Sequence, residues 1–340
     1  MERAAATRVR MEFLSRNGGG RMKILVTGGA GFIGSNVVDG YIKEGHEVVV
    51  VDDLSSGRRE NVHPGAVFYQ EDIRSGEMAR IFEQERPDVL NHHAAQISVP
   101  RSVEDPILDA EINIKGFLNL LDRAVSSGVE KVIFISSGGA VYGDAAEYPT
   151  SEACPPQPLS PYAVSKLASE YYLAYYRRQY GIGCTVLRYA NIYGPRQIPH
   201  GEAGVVAVFM DNLLNGRRSV LNLFPGEEQG MTRDYTYVGD VVAANLAALE
   251  KGDGEVVNIG TGRATRTLEL YQTIYDAAGD CGIPLDSSLN IPEPGPARPG
   301  DIPRSCLLVD RAESVLGWRP ETDLRQGVLE TFRWRLAQSG

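Results

Sequence analysis

The stretch Met22-Lys-Ile-Leu-Val26 followed at once by Thr27-Gly28-Gly29-Ala30-Gly31-Phe32-Ile33-Gly34 decides the fold. Five apolar-rich residues read as a strand, the glycines as a tight turn, and Ile33, Val37, Tyr41 and Ile42 recur at helical spacing. Strand, turn and helix in that order, with Gly28, Gly31 and Gly34 at the junction, let the backbone approach a pyrophosphate held at a helix N-terminus. A second apolar run, Val48-Val-Val-Val51, ends in Asp52-Asp53, eighteen residues beyond Gly34. A carboxylate there accepts from an adenosine ribose diol and repels a 2′-phosphate, which favours NAD over NADP. Arg58 and Arg59 follow closely and could reverse that preference.

Working outward, Val67–Tyr69, Val89-Leu90, Val132–Ile135, Cys184–Leu187 and Val256–Ile259 are further short runs without alternation. Such strands are buried on both faces. With helical patterns at Ser75–Glu85, Pro106–Ser127 and Pro161–Tyr180 between them, the chain is predicted to be α/β, a doubly wound parallel sheet of Rossmann type. Residues 22–191 and about 233–263 form the nucleotide-binding domain. Residues of about 192–232 and 264–335 form a smaller, discontinuous C-terminal substrate lobe at the carboxyl ends of the strands.

The 340 residues carry a net charge of −10 and are 43% hydrophobic. The acidic balance argues against nucleic-acid binding, and the absence of a run of about 18 apolar residues argues against a membrane span. Cys154, Cys184, Cys281 and Cys306 lie far apart without ligand spacing, which suggests reduced thiols in a cytoplasm and no metal. Residues 1–21, with five arginines and Gly18-Gly19-Gly20, read as a disordered extension or, alternatively, a basic contact arm.

Tyr162-Ala-Val-Ser-Lys166 places a phenol and an ammonium on one helical face, behind Ser160 as cap and Pro161 at the first helical position. A lysine beside a phenol favours the phenolate. Alone, this spacing occurs on many helices as a packed ring and a solvated charge.

Together, Thr27–Gly34, Asp72-Ile73, Asn113, Ser136–Gly143, Tyr162-x-x-x-Lys166 and Arg233-Asp234-Tyr235 before Val238-Gly239-Asp240 resemble an extended short-chain dehydrogenase/reductase of the UDP-glucose 4-epimerase group. The resemblance implies a tightly held NAD and epimerisation of a UDP-sugar at C4 through a transient 4-keto intermediate. UDP-glucose/UDP-galactose is the leading pair, and UDP-N-acetylhexosamine stays open. It implies Tyr162 and Lys166 as the catalytic pair. For the cofactor it implies Gly28, Gly31, Phe32, Ile33, Gly34, Asp52, Asp72, Ile73, Ala94, Ala95, Asn113 and Tyr189. For the sugar nucleotide it implies Asn191, Arg233, Arg298, Asp301 and Ser305. It also implies a homodimer formed through an intersubunit helix bundle, for which Tyr171, Tyr172, Tyr175 and Tyr176 provide apolar area; packing within the chain is the competing explanation of that area.

Two departures from the family pattern stand out. Gly138 occupies the position of the usual serine or threonine, so either Ser137 supplies that hydroxyl or the tyrosine works without it. Gln96 and Ile97 stand where some relatives have a lysine. Arg196 and Ser137 could hold a 6-carboxylate, which leaves a UDP-glucuronate 4-epimerase open. A net nucleotide-sugar oxidoreductase and an NAD-binding regulator also stay open.

Overall fold

The computed structural model describes residues 20–199, 204–297 and 302–338. Most of the expected N-terminal extension therefore lies outside the described residues.

The opening stretch forms strand β1 (Lys23–Thr27), a glycine turn and helix α1 (Phe32–Lys43), as predicted. Strands β2 (Glu47–Val51), β3 (Val67–Tyr69), β4 (Val89–His92), β5 (Lys131–Ser137), β6 (Gly183–Tyr189) and β7 (Glu255–Ile259) follow. All pair in parallel in the order β7-β6-β5-β4-β1-β2-β3. Chain order reverses between β1 and β4, and the carboxyl ends on either side of that switch open a crevice, the usual ligand site of such sheets.

Two apolar layers hold the sheet. On one face, Val37, Val38 and Tyr41 of α1 pack with Val241, Ala244 and Ala248 of helix α5 (Val238–Glu250). On the other, Ile81 and Phe82 of α2 (Glu77–Glu85) pack with Phe117 and Leu121 of α3 (Phe117–Ser127) and Leu173 of α4 (Pro161–Tyr180). The sequence pattern suggested one helix over Pro106–Ser127. In the structure Pro106–Ala110 passes into a π-helical turn at Glu111–Gly116 before α3 begins. Inserted turns of this kind redirect side chains and recur at functional sites.

A separate apolar cluster, including Phe209, Met210, Tyr271, Ile274, Val328 and Phe332, gathers chain from residues beyond 192. Among the described residues, no helix is long and apolar enough to cross a membrane.

Candidate active site

Gly28 sits at φ +70, and a Cβ there would lie 2.6 Å from the Ala94 backbone nitrogen. A Cβ on Gly34 would meet the Gly28 carbonyl oxygen at 2.2 Å. Both positions therefore require glycine. Gly31 caps α1 without a side-chain hydrogen bond, so the first amides and the positive end of the helix dipole stay available to an anion.

These groups line a cleft of about 620 Å³ together with Phe32, Ile33, Asp52, Asp72, Ile73, Ala94 and Ala95. Asp52 directly follows β2 and accepts from the amides of Ala30 and Leu54, both at 2.9 Å. Burial raises its carboxyl above the ordinary value, against those two bonds. Arg58 pairs with Glu60 and Arg59 stacks on Phe68 at 4.5 Å. Neither lines the cleft, so the two cations that could have favoured a 2′-phosphate stand away from it. Asp72 is chelated by Arg74, whose hydrogen bonds hold its carboxyl below the ordinary range. A glycine-lined cradle at a helix N-terminus with a carboxylate at the second strand end fits a dinucleotide without a 2′-phosphate.

The other end of the cleft holds Ser137, Tyr162, Lys166, Tyr189 and Asn191. The start signals behaved as predicted, Ser160 accepting from the Ala163 amide and Pro161 opening α4; left-handed Gly181 closes the helix. Ser137, the last residue of β5, has its hydroxyl near the Tyr162 phenol, where it favours the phenolate. Burial nevertheless pushes that phenol up to about 12, the Asp109 charge adding to the rise. Lys166 donates to the Ile135 carbonyl at 2.9 Å and sits over the Phe134 ring. Burial brings its ammonium down to about 8, opposed by Asp109 and Glu170. The expected lowering of the phenol by Lys166 is thus not supplied by the protein alone, because desolvation outweighs an ammonium committed to a carbonyl. His93 also lines the cleft, and burial lowers it to about 3, so it is a neutral wall.

The missing hydroxyl at 138 has a packing cause. A Cβ on Gly138 would lie 2.6 Å from Leu307 Cδ1 and 3.3 Å from the Arg188 carbonyl. Leu307 has taken the space of a side chain there. By contrast, a Cβ on Gly139 would be 3.9 Å from Asn191 Oδ1 and 4.0 Å from Ser137 Oγ, so both polar groups border one open space.

Other expected site residues stand apart from the cleft. Asn113 does not line it; it binds both the amide and the carbonyl of Gln96 at 2.9 Å and supports the cleft wall from behind. Arg196, read as a possible carboxylate partner, donates instead to Asp39 of α1 at 2.6 Å and is absent from the cleft lining. Arg233 donates to its neighbour's carbonyl, Thr232 O, which also accepts from the Ser305 amide, so these two candidates adjoin. They lie beside a second cavity bordered by Thr232 and Arg304. Arg298 and Asp301 lie outside the described residues. Sequence reasoning missed Asp109 and Leu307 and noted Gln96 only as a departure from the family pattern; contacts between distant segments bring all three into play.

The NAD dependent epimerase/dehydratase family model matches residues 24–260. The chain belongs to that family. Within this epimerase/dehydratase family it is similar to a UDP-glucose 4-epimerase of Mycolicibacterium smegmatis, 46% identical over 319 residues, covering 92% of this chain and 98% of the relative. It superposes with TM-score 0.88 on a Thermotoga maritima UDP-glucose 4-epimerase solved with UDP-glucose, 46% identical, covering 94% of this chain and 100% of the other. A Thermus thermophilus UDP-glucose 4-epimerase in complex with NAD gives TM-score 0.85 at 45% identity, covering 92% and 99%.

Proposed function

We propose that the chain is an NAD-dependent UDP-sugar 4-epimerase, with UDP-glucose and UDP-galactose as the leading pair. The observation that carries this reading is one cleft in which the glycine turn and Asp52 adjoin Ser137, Tyr162 and Lys166. Its support is the likeness to UDP-glucose 4-epimerases over nearly the whole chain. NAD, when bound by Gly28–Gly34 and Asp52, supplies a reversible hydride acceptor. Tyr162 Oη takes the proton of the substrate 4-hydroxyl and returns it after the 4-keto sugar has turned over. Ser137 Oγ orients the phenol, standing in for the hydroxyl that Leu307 excludes at position 138. Lys166 adds positive charge from the same helix face. Asn191 borders the sugar space, and Arg233, Arg298 and Asp301 are assigned to the nucleotide in the lobe of about 192–232 and 264–335. Ser305 is small and leaves an N-acetyl group tolerated.

The pairing of Arg196 with Asp39 removes the cation on which a UDP-glucuronate preference rested. Tyr171 and Ile107 are 67% and 74% exposed, and Tyr172, Tyr175 and Val164 are exposed nearby, an apolar face suited to a second copy in a homodimer. Four free cysteines suit a reducing cytoplasm.

Separate incubation with UDP-glucose, UDP-N-acetylglucosamine and UDP-glucuronate, with identification of the C4 epimers, tests the reading. Conversion of UDP-glucose without net NADH supports it. NADH accumulating in proportion to substrate, or no conversion of any UDP-sugar, overturns it.

A further inference from the structure

Asp109 is 1% exposed, and its three hydrogen-bond donors are neutral. Oδ2 accepts from the Ser165 hydroxyl at 2.6 Å. Oδ1 accepts from the amides of Gln96 at 2.9 Å and Asn113 at 3.0 Å. Ser165 occupies the turn of α4 between Tyr162 and Lys166. Gln96 follows Ala94 and Ala95 in the cleft wall. The π-helical turn brings Asn113 to the same point, and Ser169 of α4 donates to its carbonyl at 3.1 Å. One carboxylate thus fastens the proton-transfer helix to the wall of the dinucleotide cleft.

A buried carboxylate held by neutral donors stays costly unless opposite charge also compensates it. The charged and titratable groups on the elements around it are Tyr162, Lys166 and Glu170 of α4, Arg101 and Glu104 of Val99–Glu104, and Glu111 and Lys115 of the π-helical turn. Arg101, Glu104 and Lys115 are exposed, and Glu111 lies 3.7 Å from Arg74. Glu170 is bound to Arg188. Buried Lys166 and half-buried Tyr162 remain as the groups on which the charge falls.

We infer that Asp109 is a positioning residue of the epimerase: through Ser165, Gln96 and Asn113 it sets the Tyr162/Lys166 helix against the cofactor wall, and its buried charge biases the pair electrostatically. The inference rests on the proton-transfer reading of Tyr162. Its charge raises both the phenol and the ammonium, in line with that bias.

The test is the pH profile of UDP-galactose epimerisation by the full chain with NAD. Asp109→Asn keeps the shape and removes the charge. Its kcat should fall about tenfold with KM within about twofold, and the acid limb of kcat should move down by about half a pH unit or more, because the phenol loses a proton more easily without the neighbouring anion. A purely structural role would lower kcat with the limb unmoved, and that result overturns the inference. Should D109N fail to fold, Ser165→Ala retains the charge and breaks one link. It should lower kcat about threefold to tenfold with the acid limb in place, and wild-type turnover in that variant overturns the inference. Tyr162→Phe separates the two levels: if it still turns over, the reading of the site fails, whereas a normal D109N profile with an inactive Y162F fails only Asp109.

Discussion

Gly138→Ala is the most direct probe of why this site lacks a hydroxyl at that position. The new methyl would stand 2.6 and 3.0 Å from the two δ carbons of Leu307, against an ordinary carbon contact of about 3.5–4.0 Å. Leu307 must give by about 1 Å. It is 1% exposed and packs with Val141, Tyr142 and Cys154, so it has little room to move. Overpacking of this kind costs about 1–3 kcal/mol. Leu307→Ala alone should cost about 2–5 kcal/mol through lost burial and a cavity. In the double variant the alanine methyl enters the void left by the leucine, so the two costs should sum to about 1–2 kcal/mol less than additive. The assay is urea unfolding of the four proteins at one concentration, with kcat measured alongside. G138A strains the backbone next to Ser137 and should lower kcat, and the double variant should recover part of it. Additivity within about 0.5 kcal/mol would refute the claim that Leu307 occupies the missing side chain's place.

Tyr162→Phe should remove turnover by about a thousandfold or more while NAD, read by its absorbance after denaturation, stays bound; Ser137→Ala should lower kcat about tenfold to a hundredfold. Breaking the buried Glu170–Arg188 pair by Glu170→Ala leaves a guanidinium uncompensated and should cost about 3–5 kcal/mol by urea unfolding. Lys131 and Lys166 are both lowered by burial to about 8 from an ordinary 10.5, so between those values the unfolded chain binds more protons than the folded one. Stability should therefore rise as pH increases from about 8 toward 10.5, and Lys131→Met should flatten that rise in denaturation midpoints.

The sheet was legible because buried parallel strands leave unalternated apolar runs, and Val48–Val51 or Val132–Ile135 have no other comfortable place. The cofactor end was equally legible, since Gly28 and Gly34 answer to local backbone geometry. Tyr162 and Lys166 share a face by helical arithmetic, and Ser160-Pro161 announces the start of their helix. What stayed hidden depends on side chains meeting across long separations. Arg196 looked like a ligand until Asp39, 157 positions earlier, took it. Gly138 looked like a loss until Leu307 filled its space. Asp109 carries no local signal, because its importance arises from a π-helical turn that a periodic pattern over Pro106–Ser127 conceals. Spacing gives the proximity of Tyr162 and Lys166 but not their burial, which raises the phenol and lowers the ammonium.

The grip of α1 on the far half of the chain bears on modularity. Asn36 donates to the Pro195 carbonyl at 3.1 Å, Asp39 holds Arg196, and Gly40 lies so close to α5 that a Cβ would come within 2.3 Å of Val242. The helix that presents its N-terminus to the cofactor is therefore also a fastener for segments that arrive more than 150 residues later. A nucleotide-binding fragment ending near residue 191 would retain the glycine turn and lose what its own first helix is fitted against. Grafting that fragment onto an unrelated partner would require a new partner for Asp39 and a matching small-residue contact at Gly40, so the unit that can be exchanged is the whole chain.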